Sequence, residues 1–121
     1  MKYLLIVAHG SRRTESNDEV RELTQRIKAQ SGSEFSDVRC AFLELAEPLI
    51  PDGVIDCINN GATEVVVLPY FLSAGRHVVT DIPTEVAKAQ QQYPEIKITI
   101  IPYLGSIDAM PSLMAQHATH Y

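Results

Sequence analysis

Residues 2–13 read KYLLIVAHGSRR, a short apolar run that ends in a histidine and a polar loop. Continuous hydrophobicity of this kind is typical of a strand covered on both faces, and it predicts a first strand over residues 2–8. His9 follows that strand directly. A second histidine, His77, follows another apolar run, residues 65–72, and ends the polar stretch SAGRH. If both runs are parallel strands, both imidazoles lie at the edge of the sheet where open α/β sheets bind ligands.

The composition is that of one soluble globular domain over residues 1–121. Hydrophobic residues make up 45% of the chain and charged residues 21%, which is ordinary for such a domain. A net charge of −5 without a basic cluster argues against a nucleic-acid partner. The first apolar run is too short for a signal peptide or a membrane span, so we expect a cytoplasmic protein with no membrane partner. Cys40 and Cys57 lack CxxC spacing and are expected to be reduced, buried thiols.

The pattern of apolar residues alternates between strand and helix four times along the chain. The predicted strands cover residues 2–8, 38–43, 64–69 and 97–101, and the predicted helices cover about 14–30, 48–59, 79–93 and 107–118. Because every strand-to-strand connection contains a helix, the sheet should be parallel with right-handed crossovers. The expected fold is therefore an α/β domain with strand order 2-1-3-4 and helices on both faces.

Several residues predict where individual helices begin. Ser16 and Glu19 have the spacing of a capping box at the start of the first helix. Pro48 suits the first turn of the second helix, where no backbone donor is lost. Thr80 or Asp81 could cap the third helix.

His9, His77 and Glu44 are the candidate chemical residues. Two neutral imidazoles facing one cleft can bind a divalent metal or move protons. Glu44 interrupts an apolar stretch at the end of the second strand, where it is either a third ligand or a solvated carboxylate. Two histidines and one carboxylate suit Fe(II), Co(II), Ni(II) or Zn(II), and these ligands do not select one of them.

Arginines flank both histidines. Arg12 and Arg76 would form a positive rim on a net-acidic protein, which suits a small polyanionic substrate. Arg13 is interpreted as ordinary surface charge. His117 and His120 are interpreted as residues of an exposed helix end rather than as metal ligands.

Three stretches point to a family: residues 5–12 (LIVAHGSR), 41–48 (AFLELAEP), and 69–78 with 81–83 (PYFLSAGRHV and DIP). Over nearly its whole length the chain resembles the small sirohydrochlorin chelatases of the CbiX type. The resemblance implies a chelatase-like single lobe. It also implies insertion of a divalent metal, Co²⁺ in the first place with Fe²⁺ or Ni²⁺ as alternatives, into sirohydrochlorin, in cobalamin or sirohaem biosynthesis. This cyclic tetrapyrrole carries eight carboxylate side chains.

The resemblance also implies roles for particular residues. His9 and His77 match the catalytic, metal-binding pair, and Glu44 matches the acidic position of the middle stretch. The residues expected to contact the substrate are Ser11, Arg12, Ser73 and Arg76. The metal is a substrate, and no permanently bound cofactor is expected. Larger chelatases hold the site between two similar lobes, so this chain resembles the short form that works as a homodimer.

Three other functions remain open. A non-catalytic carrier of metal or tetrapyrrole would use the same residues. A histidine-type phosphatase also has His-Gly after its first strand, but such enzymes have arginine where this chain has Ala8. A flavodoxin-like signalling or flavin-binding module is disfavoured, because a receiver would need an acidic cluster after strand 1 and an aspartate after strand 3.

Overall fold

Hydrogen bonding of the first strand on both of its sides organises the sheet. The computed structural model describes residues 1–121. Its strands are β1 (Lys2–Ala8), β2 (Asp37–Phe42), β3 (Glu64–Pro69) and β4 (Lys97–Ile100), and its main helices are α1 (Thr14–Gln30), α2 (Ile50–Asn59), α3 (Ile82–Gln92) and α4 (Ala109–Thr119). All pairings are parallel and the strand order is β2-β1-β3-β4, which confirms the predicted α/β topology.

Alternate residues of the central strand serve two apolar layers. Leu5 and Val7 point to the larger layer, where buried residues of α2 and α3 cover the sheet. Leu4 and Ile6 point to the smaller layer, which includes Ile27 of α1. Helices therefore lie on both faces, and β1 is buried along nearly its whole length because both of its faces are covered.

Some predicted helix starts are wrong. Ser16 lies inside α1, whose N-cap position is Arg13, and no side chain caps the helix. The second helix begins at Ile50 rather than Pro48, which follows Glu47 through a cis peptide bond. A five-residue π-helical turn, His77–Asp81, precedes α3, and the Asp81 carboxylate does not cap that helix. Local spacing misses these details because loop contacts decide where each helix begins.

The last helix is placed differently from the other three. Its predicted apolar stripe includes Leu113 and Met114, but these side chains are 59% and 61% exposed. No residue of α4 is buried, and its main contacts are with the short 3₁₀ turn Leu104–Ser106. None of the helices combines the length and the apolar character needed to cross a bilayer.

The two cysteines are both free thiols. Cys57 is buried in the larger apolar layer, and this burial raises the pKa of its thiol to about 11. Cys40 is half-buried, so the expectation that both thiols are buried is met fully only by Cys57.

A cluster of charges covers the start of the edge strand β2. Asp37 accepts hydrogen bonds from the Arg39 side chain at 2.8 Å and from the Val38 backbone at 2.9 Å, and it pairs with Lys28 at 2.9 Å. Partial burial acts to raise the pKa of Asp37. The hydrogen bonds from Lys28, Arg39 and Val38 outweigh that effect, so the pKa lies below its usual value. Charged side chains on an edge strand also discourage pairing with another chain.

We expect Asp37→Asn to lower the free energy of unfolding at pH 7 by about 1–3 kcal/mol, because two cations lose a charged partner. A carboxylate with a depressed folded pKa stabilises the fold above its unfolded pKa of 3.8, and this contribution disappears as pH falls through the folded value. As the pH is lowered below about 4, the free energy of unfolding should therefore fall less for the variant than for the wild type. Urea unfolding at several pH values measures this. Asp52→Asn, at an exposed residue, is the control. The assignment would be contradicted if the free energy of unfolding changed with pH equally in all three proteins.

Candidate metal centre

His9 lies at the carboxyl end of β1, where the backbone leaves the sheet. Its side chain is 45% exposed although the strand before it is buried. Gly10 follows with a φ of 92°, and a Cβ there would lie only 1.7 Å from the carbonyl oxygen of Glu44. Glycine is therefore required at this position for the loop after β2 to approach His9.

The loop after β2 places Glu44 beside His9. Its base is closed by a hydrogen bond from the Phe42 N–H to the Pro48 carbonyl at 2.8 Å. The Glu44 N–H donates to the His9 carbonyl at 3.1 Å, and Leu45 then adopts a left-handed conformation with a φ of 67°. The Glu44 Oε2 atom lies 3.1 Å from His9 Nε2. Backbone contacts between the two loops thus hold this carboxylate against the imidazole.

His77 reaches the same edge from β3. The Tyr70 N–H donates to the Val7 carbonyl at 2.8 Å, which extends the pairing of β1 and β3 beyond the strands themselves. A loop over residues 71–76 then leads to His77 at the start of the π-helical turn. The His77 Nδ1 atom lies 2.8 Å from Asp81 Oδ2. Each histidine therefore has one carboxylate partner.

The two imidazoles lie against each other. Their ring centroids are 4.7 Å apart and their planes are tilted by 40°. A metal bound about 2.0–2.1 Å from one nitrogen of each ring, with a ligand angle of about 90–110°, places the centroids about 4.5–5.2 Å apart. The observed spacing is compatible with two cis ligands of one metal ion.

The structure does not gather a third ligand. No group of three or more His, Cys, Asp or Glu side chains is placed to hold a metal ion. Glu44 is hydrogen-bonded to His9 instead, and its role as a ligand stays a prediction. A metal held by only two histidines would keep open coordination positions, unlike the four protein ligands of a closed structural site.

The predicted substrate contacts surround this pair unevenly. Arg12, Arg76 and Ser73 are exposed, and neither arginine forms an ion pair within the chain. Ser11 is half-buried, and its Oγ atom accepts a hydrogen bond from the Arg13 N–H at 3.0 Å. The two arginines are thus free to meet an anion, whereas the Ser11 hydroxyl is already engaged in its loop.

Sequence reasoning did not single out Asn17. This residue is buried, accepts from the Ser11 N–H at 2.9 Å and donates to the Ser11 carbonyl at 2.8 Å. The two bonds fasten the loop after His9 to α1. Asp81 was considered only as a helix cap, although its spacing of four residues from His77 is the available signal for a side-chain pair on one helical face.

Other features lie apart from the pair. Two surface grooves, of about 440 and 410 Å³, are lined by neither His9 nor His77. His117 and His120 lie at the exposed end of α4, where the His117 ring contacts Tyr121. The candidate centre is therefore an open edge of the sheet rather than an enclosed cavity.

Comparison with known proteins identifies relatives of this chain. The family model CbiX matches residues 3–121. The chloroplastic sirohydrochlorin ferrochelatase of Arabidopsis thaliana is 38% identical over 117 residues, which cover 97% of this chain and 51% of that protein. A sirohydrochlorin cobaltochelatase of Methanococcus maripaludis is 39% identical over 83 residues, 69% of this chain and 56% of that protein.

A solved structure gives the same result. The structure of SirB from Bacillus subtilis with Fe³⁺ superposes with a TM-score of 0.84 at 29% identity, over 98% of this chain and 46% of that one. The chain thus spans about half the length of each of these relatives. With a family match over almost every residue and the fold in agreement, the chain belongs to the CbiX family.

Proposed function

We propose that this protein inserts a divalent metal into sirohydrochlorin, with His9 and His77 as the residues that deliver the metal. The observation that carries this proposal is the pair of exposed imidazoles, 4.7 Å apart, at the carboxyl edge of a CbiX-family sheet. Relatives of this chain are named sirohydrochlorin ferrochelatases and cobaltochelatases, and these names support the proposed reaction. The geometry of the two histidines supports the proposed site.

Metal insertion needs ligand exchange and the loss of two protons. The incoming M²⁺ replaces the two pyrrole N–H protons of the macrocycle, so the products are the metallated ring and two H⁺. When the metal passes from His9 and His77 to the ring nitrogens, each imidazole regains a free lone pair. Those lone pairs can accept the departing protons, because an imidazole exchanges protons readily near neutral pH. Glu44, 3.1 Å from His9, stabilises the imidazolium that forms there.

The substrate carboxylates need positive partners near the histidines. Arg12 and Arg76 are exposed and free of intramolecular ion pairs. Arg12 lies in the loop that follows His9, and Arg76 directly precedes His77. A guanidinium can bind a carboxylate through two parallel hydrogen bonds. Ser73 is proposed to add a hydroxyl donor, and Ser11 to contribute through the backbone of its loop.

We expect His9→Ala and His77→Ala each to reduce the rate of metal insertion by roughly 10²–10⁴-fold, because each removes a proton acceptor and a metal ligand. Anaerobic mixing with sirohydrochlorin and Co²⁺, followed by absorption spectroscopy, measures the rate. His120→Ala, at the exposed histidine that follows α4, is the matched control and should leave the rate unchanged. Unchanged insertion by a folded His9 or His77 variant would refute the assignment.

The alternative is a carrier that binds metal or tetrapyrrole without catalysis. The same mixing experiment distinguishes the two functions, because a carrier would bind sirohydrochlorin but leave its metallation at the uncatalysed rate. Multiple turnovers per protein molecule support the chelatase, and spectral binding without acceleration supports the carrier.

Co²⁺ is the proposed metal, with Fe²⁺ and Ni²⁺ as alternatives. A two-imidazole site does not select strongly among these ions, so the choice depends on exchange rate and availability. We expect anaerobic competition among equal concentrations of the three ions to yield mainly the cobalt product. Mass spectrometry of the extracted tetrapyrrole identifies it, and a predominance of iron or nickel would overturn this choice.

The active form is proposed to be a homodimer. The apolar side chains Leu113 and Met114 of α4 are more than half exposed, which is unusual for an amphipathic helix with no partner. A groove of about 410 Å³ beside α1 offers a surface of mixed character on the same chain, in which Leu23 and Tyr70 lie among charged and polar side chains. A second copy that covers α4 would also help enclose a macrocycle that this open edge cannot surround.

We expect Leu113→Glu to shift the protein from dimer to monomer, because a charge would enter the apolar contact. Light scattering after size-exclusion chromatography measures the mass over a range of concentrations. Ser112→Glu adds the same charge at an exposed residue of α4 that lies about 100° around the helix from Leu113 and about 160° from Met114, and it should leave the dimer intact. A wild-type protein that is monomeric at micromolar concentration would contradict the proposal.

A cytoplasmic location stays a prediction. The Arabidopsis relative is named as chloroplastic, so membership of the family does not by itself fix the compartment.

A further inference from the structure

The carboxylate partners of the two histidines bind different ring nitrogens. Glu44 contacts Nε2 of His9, whereas Asp81 contacts Nδ1 of His77. Nε2 is the nitrogen at the far end of the ring. Glu44 therefore occupies the outer nitrogen of His9, while Asp81 leaves the outer nitrogen of His77 free.

The contact between Asp81 and His77 is short and well supported by the backbone. The two atoms lie 2.8 Å apart, and the carboxylate has no other hydrogen bond or ion pair. Asp81 immediately precedes Ile82, a fully buried residue of α3, so its backbone is anchored in the core. The Asp81 side chain is 32% exposed and that of His77 is 45% exposed, so the pair lies at the surface of the site without being fully solvated.

The start of the loop before His77 is packed against the segment that follows β4. A Cβ on Gly105 would lie 1.8 Å from the carbonyl oxygen of Leu72, and the Gly105 N–H donates to the Phe71 carbonyl at 3.0 Å. This close packing of the segment after β4 holds the first two residues of the loop, Phe71 and Leu72. His77 and Asp81 are four residues apart in the sequence, and the π-helical turn His77–Asp81 brings their side chains next to each other. Such turns occur often at functional sites.

We propose that Asp81 is a positioning residue that holds His77 in the Nδ1–H tautomer, so that the Nε2 lone pair is presented to the substrate metal. A carboxylate that accepts the Nδ1 proton fixes both the tautomer and the orientation of the ring. This inference rests on the proposed delivery of metal by His77 and adds a residue outside the histidine pair.

The tautomer is measured directly by long-range ¹H–¹⁵N correlation of the metal-free protein at a pH where His77 is neutral. The wild type should show the Nδ1–H form of His77. Asp81→Asn, which keeps the shape of the side chain, and Asp81→Ala should both reduce the fraction of that form. A merely structural role of Asp81 would leave the tautomer unchanged, and that result would overturn the inference.

Binding of Co²⁺ alone, followed by titration, provides the second measurement. We expect both Asp81 variants to weaken the apparent affinity by about 10–100-fold, as loss of an outer partner of a ligating histidine does in other metal sites. Glu95→Gln makes the same carboxylate-to-amide change at an exposed residue before β4 and should bind Co²⁺ as the wild type does. Thermal unfolding of each variant verifies that it is folded.

A double-mutant cycle separates this inference from the proposed function. In the His77→Ala background, Asp81→Asn should cause no further loss of Co²⁺ affinity, because its effect passes through the missing imidazole. An additional loss there, or unchanged affinity of Asp81→Asn while His77→Ala binds weakly, would overturn the role of Asp81 alone. Unchanged Co²⁺ binding by His77→Ala would overturn both the metal site and the role of Asp81.

Discussion

Parallel pairing of β1 with both of its neighbours is the constraint on which the rest of the structure depends. Because β1 is hydrogen-bonded to β2 on one side and to β3 on the other, the carboxyl ends of all three strands lie at one edge. His9, Glu44 and His77 come after these three strands in turn. No contact between the side chains is needed to bring them together, since strand direction and order already do so. The buried backbone of β1 makes this arrangement rigid.

Close backbone contacts convert this shared edge into a specific geometry. Gly10 lets the loop after β2 approach His9, and Gly105 lets the segment after β4 pack against Leu72, at the start of the loop that leads to His77. Asn17 fastens the remaining loop to α1 through two hydrogen bonds to Ser11. The imidazoles themselves stay half exposed, which suits the proposed receipt and release of a metal. Backbone contacts in the loops thus fix the positions of the two rings while leaving them open to solvent.

Particular residues illustrate how far sequence reasoning reaches. The apolar runs predicted the strands of the sheet, because burial on both faces leaves no charged position in β1 after Lys2. The helix starts were less predictable, as Ser16 and Pro48 show, because contacts in the loops rather than local propensity place those boundaries. The apolar stripe of α4 predicted a helix but not its location, since Leu113 and Met114 face solvent rather than the sheet. Periodicity reports that a face is apolar and does not report what covers it.

By itself, the sequence determined the fold class, the strand order and the placement of two histidines at one sheet edge. These follow from the alternation of apolar runs and helices, which is a property of neighbouring residues in the chain. Only the tertiary structure decided that the rings lie 4.7 Å apart, that Glu44 contacts Nε2 of His9, and that Asp81 contacts Nδ1 of His77. Ring orientation and the choice of nitrogen depend on loop paths, which are set by contacts between segments distant in sequence, such as Gly10 with Glu44.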